Sequence, residues 1–357
     1  MVDPALGYAG GPIERTTAKM TGINLRIFRA VLTAALLSGA LALAQTQSSD
    51  APLTLTGAIP MPHIQGRIDH FALGPEGTMF ISALGNNTEE VIDLSGGVVG
   101  HTIPGIPKPQ GVAYAPEVKK IFVGSDGGKL YIFNAESYAQ LATLDFGDDV
   151  DNLRYDPAGK RLYVGYGDGA IAMVDVTTNQ RLPQEFKLGA HPESFQLEKS
   201  GPNIYVNLPG LKQIAAINRQ TGAITRWPIK EESNFPMALD EANHRLFVVT
   251  RAPARLLVVD TGSGHVVATL PCVQDSDDLY YDAARKRIYA AGGEGYISVF
   301  QQQDADHYRL LAKVPSELGG RTAGYWGKLL KGFDRFFVAI PARAGHGAEV
   351  LIYTIQD

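Results

Sequence analysis

The chain has 357 residues, of which 45% are hydrophobic and 19% are charged, a balance typical of a globular protein. Its formal net charge of −5 argues against a nucleic-acid partner, because such binding depends on cations that meet phosphates. The single cysteine, Cys272, excludes an intrachain disulfide, and no Cys-x-x-Cys-His motif is present to attach a c-type haem.

The first 44 residues do not resemble the rest of the chain. Residues 1–19 show no periodicity, and we interpret them as an extension outside the fold. Residues 20–44 have the order of a secretory signal peptide, in which Arg26 and Arg29 precede an apolar run at 30–43. The sequence therefore predicts an exported protein, either periplasmic or secreted.

The end of this signal defines where the mature chain would start. Ala42-Leu43-Ala44 fits the small-x-small cleavage pattern, so we expect cleavage after Ala44 and a polar linker at 45–51. An uncleaved anchor helix is the alternative, but the apolar run is shorter than the ~20 residues that a membrane span needs. We expect no membrane span after cleavage.

The remaining chain consists of seven copies of one unit. Each copy has four short apolar runs separated by turn residues, and successive copies start 41 to 45 residues apart. The copies span 71–103, 112–144, 153–188, 195–229, 237–270, 279–314 and 324–355. This period predicts an all-β, seven-bladed β-propeller with four-stranded blades, forming a single domain over 52–356. No copy shows the 3.6-residue periodicity of a helical solenoid.

The two ends of the propeller are predicted to meet in one blade. The seventh copy ends after three strands, at "EVLIYTI", and the segment Leu53–Pro62 belongs to no copy. That segment resembles the fourth strands of other copies, such as "LATLDFG". We therefore expect it to close the last blade as its outer strand, which removes an exposed sheet edge.

Three stretches carry a resemblance to a known family. "KRLYVGYGDGAIAMVDVTT", "RLFVVTRAPARLLVVDTGSG" and "KRIYAAGGEGYISVF" resemble the repeats of YVTN-type, or YncE-like, bacterial propellers. The resemblance extends over the whole chain after the signal. It implies seven blades and export from the cytoplasm, and it implies no particular ligand.

The segment that precedes each blade's innermost strand is the place to search for a site, because these segments meet at the mouth of the central channel. We call them the mouth segments. They are 67–70, 108–111, 149–152, 191–194, 233–236, 275–278 and 320–323. The candidate binding residues in them are Asp69, His70, Gln110, Asp151, Asn152, His191, Glu193, Asp277, Asp278 and Arg321.

Four of the seven mouth segments have a carboxylate in the same position: Asp69, Asp151, Glu193 and Asp277. Like charges around a narrow channel are costly unless something screens them. One interpretation is a divalent-cation site, in which oxygen ligands suit Ca²⁺ or Mg²⁺ and the histidines leave Zn²⁺ or Mn²⁺ open. The other interpretation is structural, because Asp and Asn before a strand often bond the backbone of a neighbour.

These features favour a monomeric binding protein that holds an ion, a small ligand or a protein partner at the channel mouth. The alternative is a metal-dependent lactone hydrolase or lyase, in which the four carboxylates hold the ion and His70 or His191 moves protons. The sequence contains no Gly-x-Ser-x-Gly, Gly-rich phosphate loop or His-Glu-x-x-His, so covalent hydrolysis and nucleotide chemistry have no support.

Overall fold

A computed structural model describes residues 51–75, 77–327 and 334–357. Within these residues, 28 strands form seven four-stranded antiparallel sheets. The seven-bladed, all-β propeller predicted from the repeat is thus confirmed. The extension, signal and linker predicted for 1–50 lie outside the described residues. In the described part of the chain, no helix has the length and apolar character needed to cross a membrane.

Each blade runs from an inner strand at the channel to an outer strand at the rim. The inner strands, from blade one to blade seven, are β2 (Phe71–Leu73), β6 (Pro109–Ala115), β10 (Val150–Asp156), β14 (Phe195–Leu197), β18 (Glu232–Asp240), β22 (Leu279–Asp282) and β26 (Ala323–Trp326). The second strands are β3 (Thr78–Ala83), β7 (Lys120–Ser125), β11 (Arg161–Tyr166), β15 (Asn203–Leu208), β19 (Arg245–Ala252), β23 (Arg287–Gly292) and β27 (Arg335–Ile340).

The third strands are β4 (Thr88–Asp93), β8 (Lys129–Asn134), β12 (Ala170–Asp175), β16 (Gln213–Asn218), β20 (Ala254–Asp260), β24 (Tyr296–Gln302) and β28 (Glu349–Ile355). The outer strands are β5 (Val98–Pro104), β9 (Gln140–Asp145), β13 (Gln180–Lys187), β17 (Ile224–Pro228), β21 (Val266–Pro271), β25 (Tyr308–Pro315) and, for blade seven, β1 (Leu53–Pro60). Single 3₁₀ turns connect second and third strands at Leu84–Asn86 and Pro209–Leu211, and first and second strands at Pro116–Val118.

The hairpin between β11 and β12 shows why a turn within a blade requires glycine. Its strands pair in register up to Tyr166 and Ala170, and the turn Gly167-Asp168-Gly169 joins them. Gly169 has a φ of +129°, and a Cβ there would lie 2.3 Å from the backbone nitrogen of Ala190. Only glycine fits this backbone conformation and this close approach.

Most of the buried apolar residues pack between neighbouring blades. The cluster between blades six and seven contains Tyr289, Val299, Phe336 and Tyr353, all buried. Leu53 of β1 belongs to the same cluster and is 0% exposed. The second and third strands are buried on both faces, as Met79–Ala83 of β3 are, so each blade packs against the blade on either side.

The ring closes through pairing of the two chain ends. β1 is antiparallel to β28, with Leu53 opposite Ile355 and Ile59 opposite Val350. The outer strand of the last blade is therefore supplied by the N-terminal segment, as predicted, and it ends at Pro60.

Leu53→Ala tests the contribution of this closure. The substitution removes a fully buried side chain from the β1 face, so we expect a loss of about 2–5 kcal/mol in the free energy of unfolding. Leu55→Ala is the matched control, because Leu55 lies on the same strand and is 46% exposed; we expect a change within about 0.5 kcal/mol. Urea denaturation of both variants gives the comparison, and equal losses would contradict closure by burial of β1.

Candidate functional site

The mouth segments converge on a polar chamber of about 270 Å³ at one end of the channel, which we call the mouth chamber. All seven blades contribute to its wall, which is formed by Arg67, Asp69, His70, Gln110, Asp149, Asp151, Asn152, His191, Glu193, Ser194, Phe235, Arg251, Asp277 and Arg321. Of the ten candidate residues from the sequence, the structure brings nine together here. Asp278 lies directly behind His70, on the far side of the chamber wall.

Irregular pairing at the start of the inner strands directs these side chains toward the channel. The register of the first two strands shifts between Pro109 and Val112, between Val150 and Leu153, and between Asn234 and Met237. Such a bulge bends a strand and re-aims its side chains. The bulges contain the third and fourth positions of three mouth segments, which is why these positions face one another across the channel.

Close backbone contact explains the glycine in the second mouth segment. A Cβ at Gly111 would lie 1.8 Å from the carbonyl oxygen of Asp151 in the next blade. Strands β6 and β10 therefore approach each other at the channel as closely as backbones allow, and no side chain fits at this position.

His70 lies among three carboxylates, those of Asp69, Asp151 and Asp278. Its Nε2 lies 3.8 Å from Asp69 Oδ1 and 3.9 Å from Asp151 Oδ1, and its Nδ1 lies 3.5 Å from Asp278 Oδ1. Burial lowers the pKa of His70, but the hydrogen bond to Asp278 and the three surrounding negative charges outweigh burial and raise the pKa to about 10. His70 is thus a positively charged imidazolium that neutralises carboxylates from blades one, three and six.

His191 forms a second cluster with Asp151 and Glu193. Its Nδ1 lies 3.0 Å from the carbonyl oxygen of Gly167, which can only accept, so Nδ1 carries the proton of that hydrogen bond. The other nitrogen, Nε2, faces Asp151 Oδ2 at 3.6 Å. One donor atom each from Asp151, His191 and Glu193 lie within 4.8 Å of one another.

Glu193 is the least compensated carboxylate of the chamber. Among the described residues, no hydrogen bond or ion pair reaches its side-chain oxygens. Burial, and next the charge of Asp151, raise the pKa of Glu193 to about 8. Burial also raises the pKa of Asp69 to about 7 and that of Asp149 to about 6, with Asp151 adding repulsion in both cases. The chamber thus has too much negative charge to be fully ionised at neutral pH.

The opposite wall is neutralised by two arginines. The Arg251 guanidinium bonds Asp277 and lies 3.8 Å from the ring centre of Phe235. Arg321 contacts Asp275 at 2.9 Å and Asp277 at 3.6 Å. Asp277 is therefore fully occupied by arginines, whereas on the other side Asp151 pairs with two histidines and Glu193 keeps an unpaired carboxylate among the described residues.

Arg251 is a chamber residue that the sequence reasoning did not identify. It lies near the end of β19, outside the mouth segments, in the hairpin that leads to β20. Hairpins of this kind lie at the mouth end, because Gly167 and Gly293 bond the carbonyl oxygens of Asp149 and Asp275. A search of the second-to-third-strand turns for charged residues would therefore have found it.

Several candidate residues also connect neighbouring blades. The Asn152 amide donates to the Glu193 carbonyl oxygen, and Asp278 Oδ2 accepts the backbone N–H of Ala323 at 2.8 Å. The Gln110 amide donates to Asp149 Oδ1 in the next blade at 2.5 Å. These contacts match the structural interpretation for Asn152, Asp278 and Gln110.

Comparison with known proteins supports the fold alone. No protein-family model and no curated protein matches the chain. Among solved structures, a chain of the "Crystal Structure of Mitotic Checkpoint Complex" is similar with a TM-score of 0.73 at 12% identity, covering 88% of this chain and 97% of that one. The RRP9 WD40 repeats give 0.73 at 11% identity, covering 86% and 98%. Kuenenia stuttgartiensis hydrazine synthase gives 0.67 at 16% identity, covering 87% and 97%.

The raised pKa of Glu193 predicts a pH dependence of stability in chelator. The folded protein keeps a proton on Glu193 up to a pKa of about 8, whereas the unfolded chain loses it near the ordinary value of 4.5. Between these values the folded state binds more protons, so this carboxyl lowers the stability as the pH rises. In Glu193→Gln we expect the free energy of unfolding to fall less steeply with pH, by up to about 1.4 kcal/mol per pH unit.

Urea denaturation at several pH values from about 5 to about 8 measures this difference. Glu231→Gln is the control, since among the described residues Glu231 has no hydrogen bond or ion pair and lies outside the chamber. It should keep the slope of the parent protein. A parent slope retained in Glu193→Gln would contradict a proton on Glu193.

Proposed function

We propose that the chain is an exported, YncE-like binding propeller that holds a divalent cation in the mouth chamber through Asp151, His191 and Glu193. The main support for this proposal is the environment of the Glu193 carboxylate. It is largely buried, faces Asp151 and has no partner among the described residues. A bound cation would remove the repulsion between the two carboxylates and would favour their ionised forms.

The donor set indicates the class of metal. Two carboxylates and one imidazole suit Mn²⁺ or Zn²⁺ better than Ca²⁺ or Mg²⁺, which prefer oxygen ligands alone. The Gly167 carbonyl oxygen fixes the ring of His191 through Nδ1 and leaves Nε2 as the ligand atom. Such an outer partner is the usual support of a metal-binding histidine.

The other charged residues of the chamber fit supporting roles. His70 is held by Asp69, Asp151 and Asp278, and Asp277 is held by Arg251 and Arg321. We therefore place Asp69 and Asp277 outside the ligand set, although the sequence pattern groups them with Asp151 and Glu193. Arg321 serves to neutralise the chamber wall in this proposal.

The remaining parts of the proposal concern the whole chain. We propose an extension at 1–19, a signal peptide at 20–44 cleaved after Ala44, a linker at 45–51 and the propeller over 52–356. The protein would then act in the periplasm or outside the cell, as a monomer without a membrane span. The signal-like order of charge and apolar residues supports export.

A metal-dependent lactone hydrolase or lyase is the second candidate function. The observation that favours it is the pKa of about 7 at Asp69 and about 8 at Glu193, because groups that titrate near neutral pH suit proton transfer. Asp69 lies in the same chamber as the candidate cation site, and His70 stands between Asp69 and Asp151.

Thermal unfolding with Mn²⁺, Zn²⁺, Ca²⁺ and Mg²⁺ after chelator treatment tests the cation site. At 100 times its Kd, an ion that binds only the folded protein adds about 2.7 kcal/mol of stability. We expect this gain with Mn²⁺ or Zn²⁺, and its loss in Asp151→Asn and Glu193→Gln. Asp126→Asn is the control, because Asp126 pairs with Lys108 outside the chamber wall. No gain with any ion, or a gain retained in both variants, would overturn the proposal.

A lactone-hydrolysis assay with the metal-loaded protein separates the two candidate functions. If the protein only binds the cation, the parent and Glu193→Gln should give the same background rate. Metal-dependent turnover that disappears in Glu193→Gln, and persists in Asp126→Asn, would instead favour the hydrolase.

A further inference from the structure

A second and larger cavity continues the channel beyond His70. We call it the inner cavity; its volume is about 870 Å³. His70, Asn152, Ser194 and Asp277 line both spaces and so separate the inner cavity from the mouth chamber. One part of its wall is apolar, with Val112, Leu153, Met237, Leu279 and Tyr325 from five inner strands, and the rest carries charged side chains. The size falls within the range of pockets that bind small molecules.

Arg154 of β10 brings a positive charge into the inner cavity. Its Nη1 donates to the carbonyl oxygen of Leu153 at 2.8 Å, and its guanidinium carbon lies 5.5 Å from the ring centre of Phe195. Among the described residues Arg154 has no ion pair. Burial lowers its pKa, which reflects the cost of removing this cation from water. Most of its donors are left without an acceptor.

The acidic residues around the inner cavity are already occupied by other groups. They are Asp240, Glu241, Asp277, Asp278 and Asp282, of which Asp277 pairs with Arg251 and Arg321. Asp240 accepts from the Gln302 amide, Glu241 from the backbone of Lys199 and Ser200, Asp278 from Ala323, and Asp282 from Arg285. Asp278 and Asp282 also have the cationic partners His70 and Arg285, whereas Asp240 and Glu241 accept from neutral donors only. The cations of the wall without an ion pair among the described residues are Arg154 inside and Lys199 at the rim.

From this arrangement we infer that the inner cavity binds an organic anion with one carboxylate and an apolar body. The planar guanidinium of Arg154 receives the carboxylate in a two-pronged contact, and the apolar part lies against Leu153, Met237 and Leu279. A guanidinium also pairs with phosphate, so the experiment below compares the two anions. This site is separate from the cation site of the proposed function, and its test requires no cation.

Calorimetric titration of the full chain with octanoate, in chelator, tests the inference. Octan-1-ol has the same apolar chain without the carboxylate, and we expect it to bind at least tenfold more weakly. Arg154→Gln should weaken octanoate at least tenfold and leave octan-1-ol unchanged. Lys199→Gln is the matched control at the exposed rim, with an expected change of less than threefold.

A second variant keeps the test valid if Arg154→Gln fails to fold. Leu197→Trp fills the cavity from β14 and leaves Arg154 in place, so both probes should lose binding. The inference is overturned if the folded parent shows no saturable octanoate binding, or if Arg154→Gln binds octanoate within threefold of the parent. Tighter binding of octyl phosphate than of octanoate would overturn the assignment to carboxylates.

Discussion

Pairing of β1 with β28 is the contact on which the rest of the structure depends. It joins residues about 300 positions apart, such as Leu53 and Ile355, and converts a row of blades into a closed ring. Only in a closed ring do blades seven and one come together, so that Thr322 bonds the carbonyl oxygen of Ile68. The mouth chamber exists because this closure brings all seven mouth segments to one axis, where no single blade could form a site.

Closure of the ring also brings several carboxylates close together, and their repulsion is reduced in two ways. On one side of the chamber, Arg251 and Arg321 neutralise Asp277, and His70 serves Asp69 and Asp278. On the other side, protonation takes the place of a counter-ion, as the pKa of about 8 at Glu193 shows. A carboxyl group that keeps its proton in the absence of a cation can lose that proton when a cation binds. The carboxylate charge is then restored.

The sequence predicted the blades and the mouth segments, because spacing and apolar alternation are properties of single strands. The sequence did not predict which charged side chains pair within the mouth chamber, because these ion pairs depend on distances across the channel. His70 reaches Asp151 from blade one to blade three, and Arg251 arrives from a hairpin outside the mouth segments. Arg154 lies in an inner strand, where the repeat pattern indicates only blade core, and its lack of an ion-pair partner within the described chain is a three-dimensional property.

Asp151 connects the two spaces of the channel electrostatically. Its charge acts on His191 and His70 at the mouth chamber and on Arg154 in the inner cavity. In the absence of a cation, that negative charge opposes an anion that approaches Arg154. A divalent cation held by Asp151 and Glu193 would cancel the charge of Asp151 and so strengthen anion binding on the far side of His70. By linkage, an anion on Arg154 would strengthen the cation to the same degree. His70, Asn152, Ser194 and Asp277 would thus separate the two proposed ligands in space, while the charges of the ligands would remain coupled through Asp151.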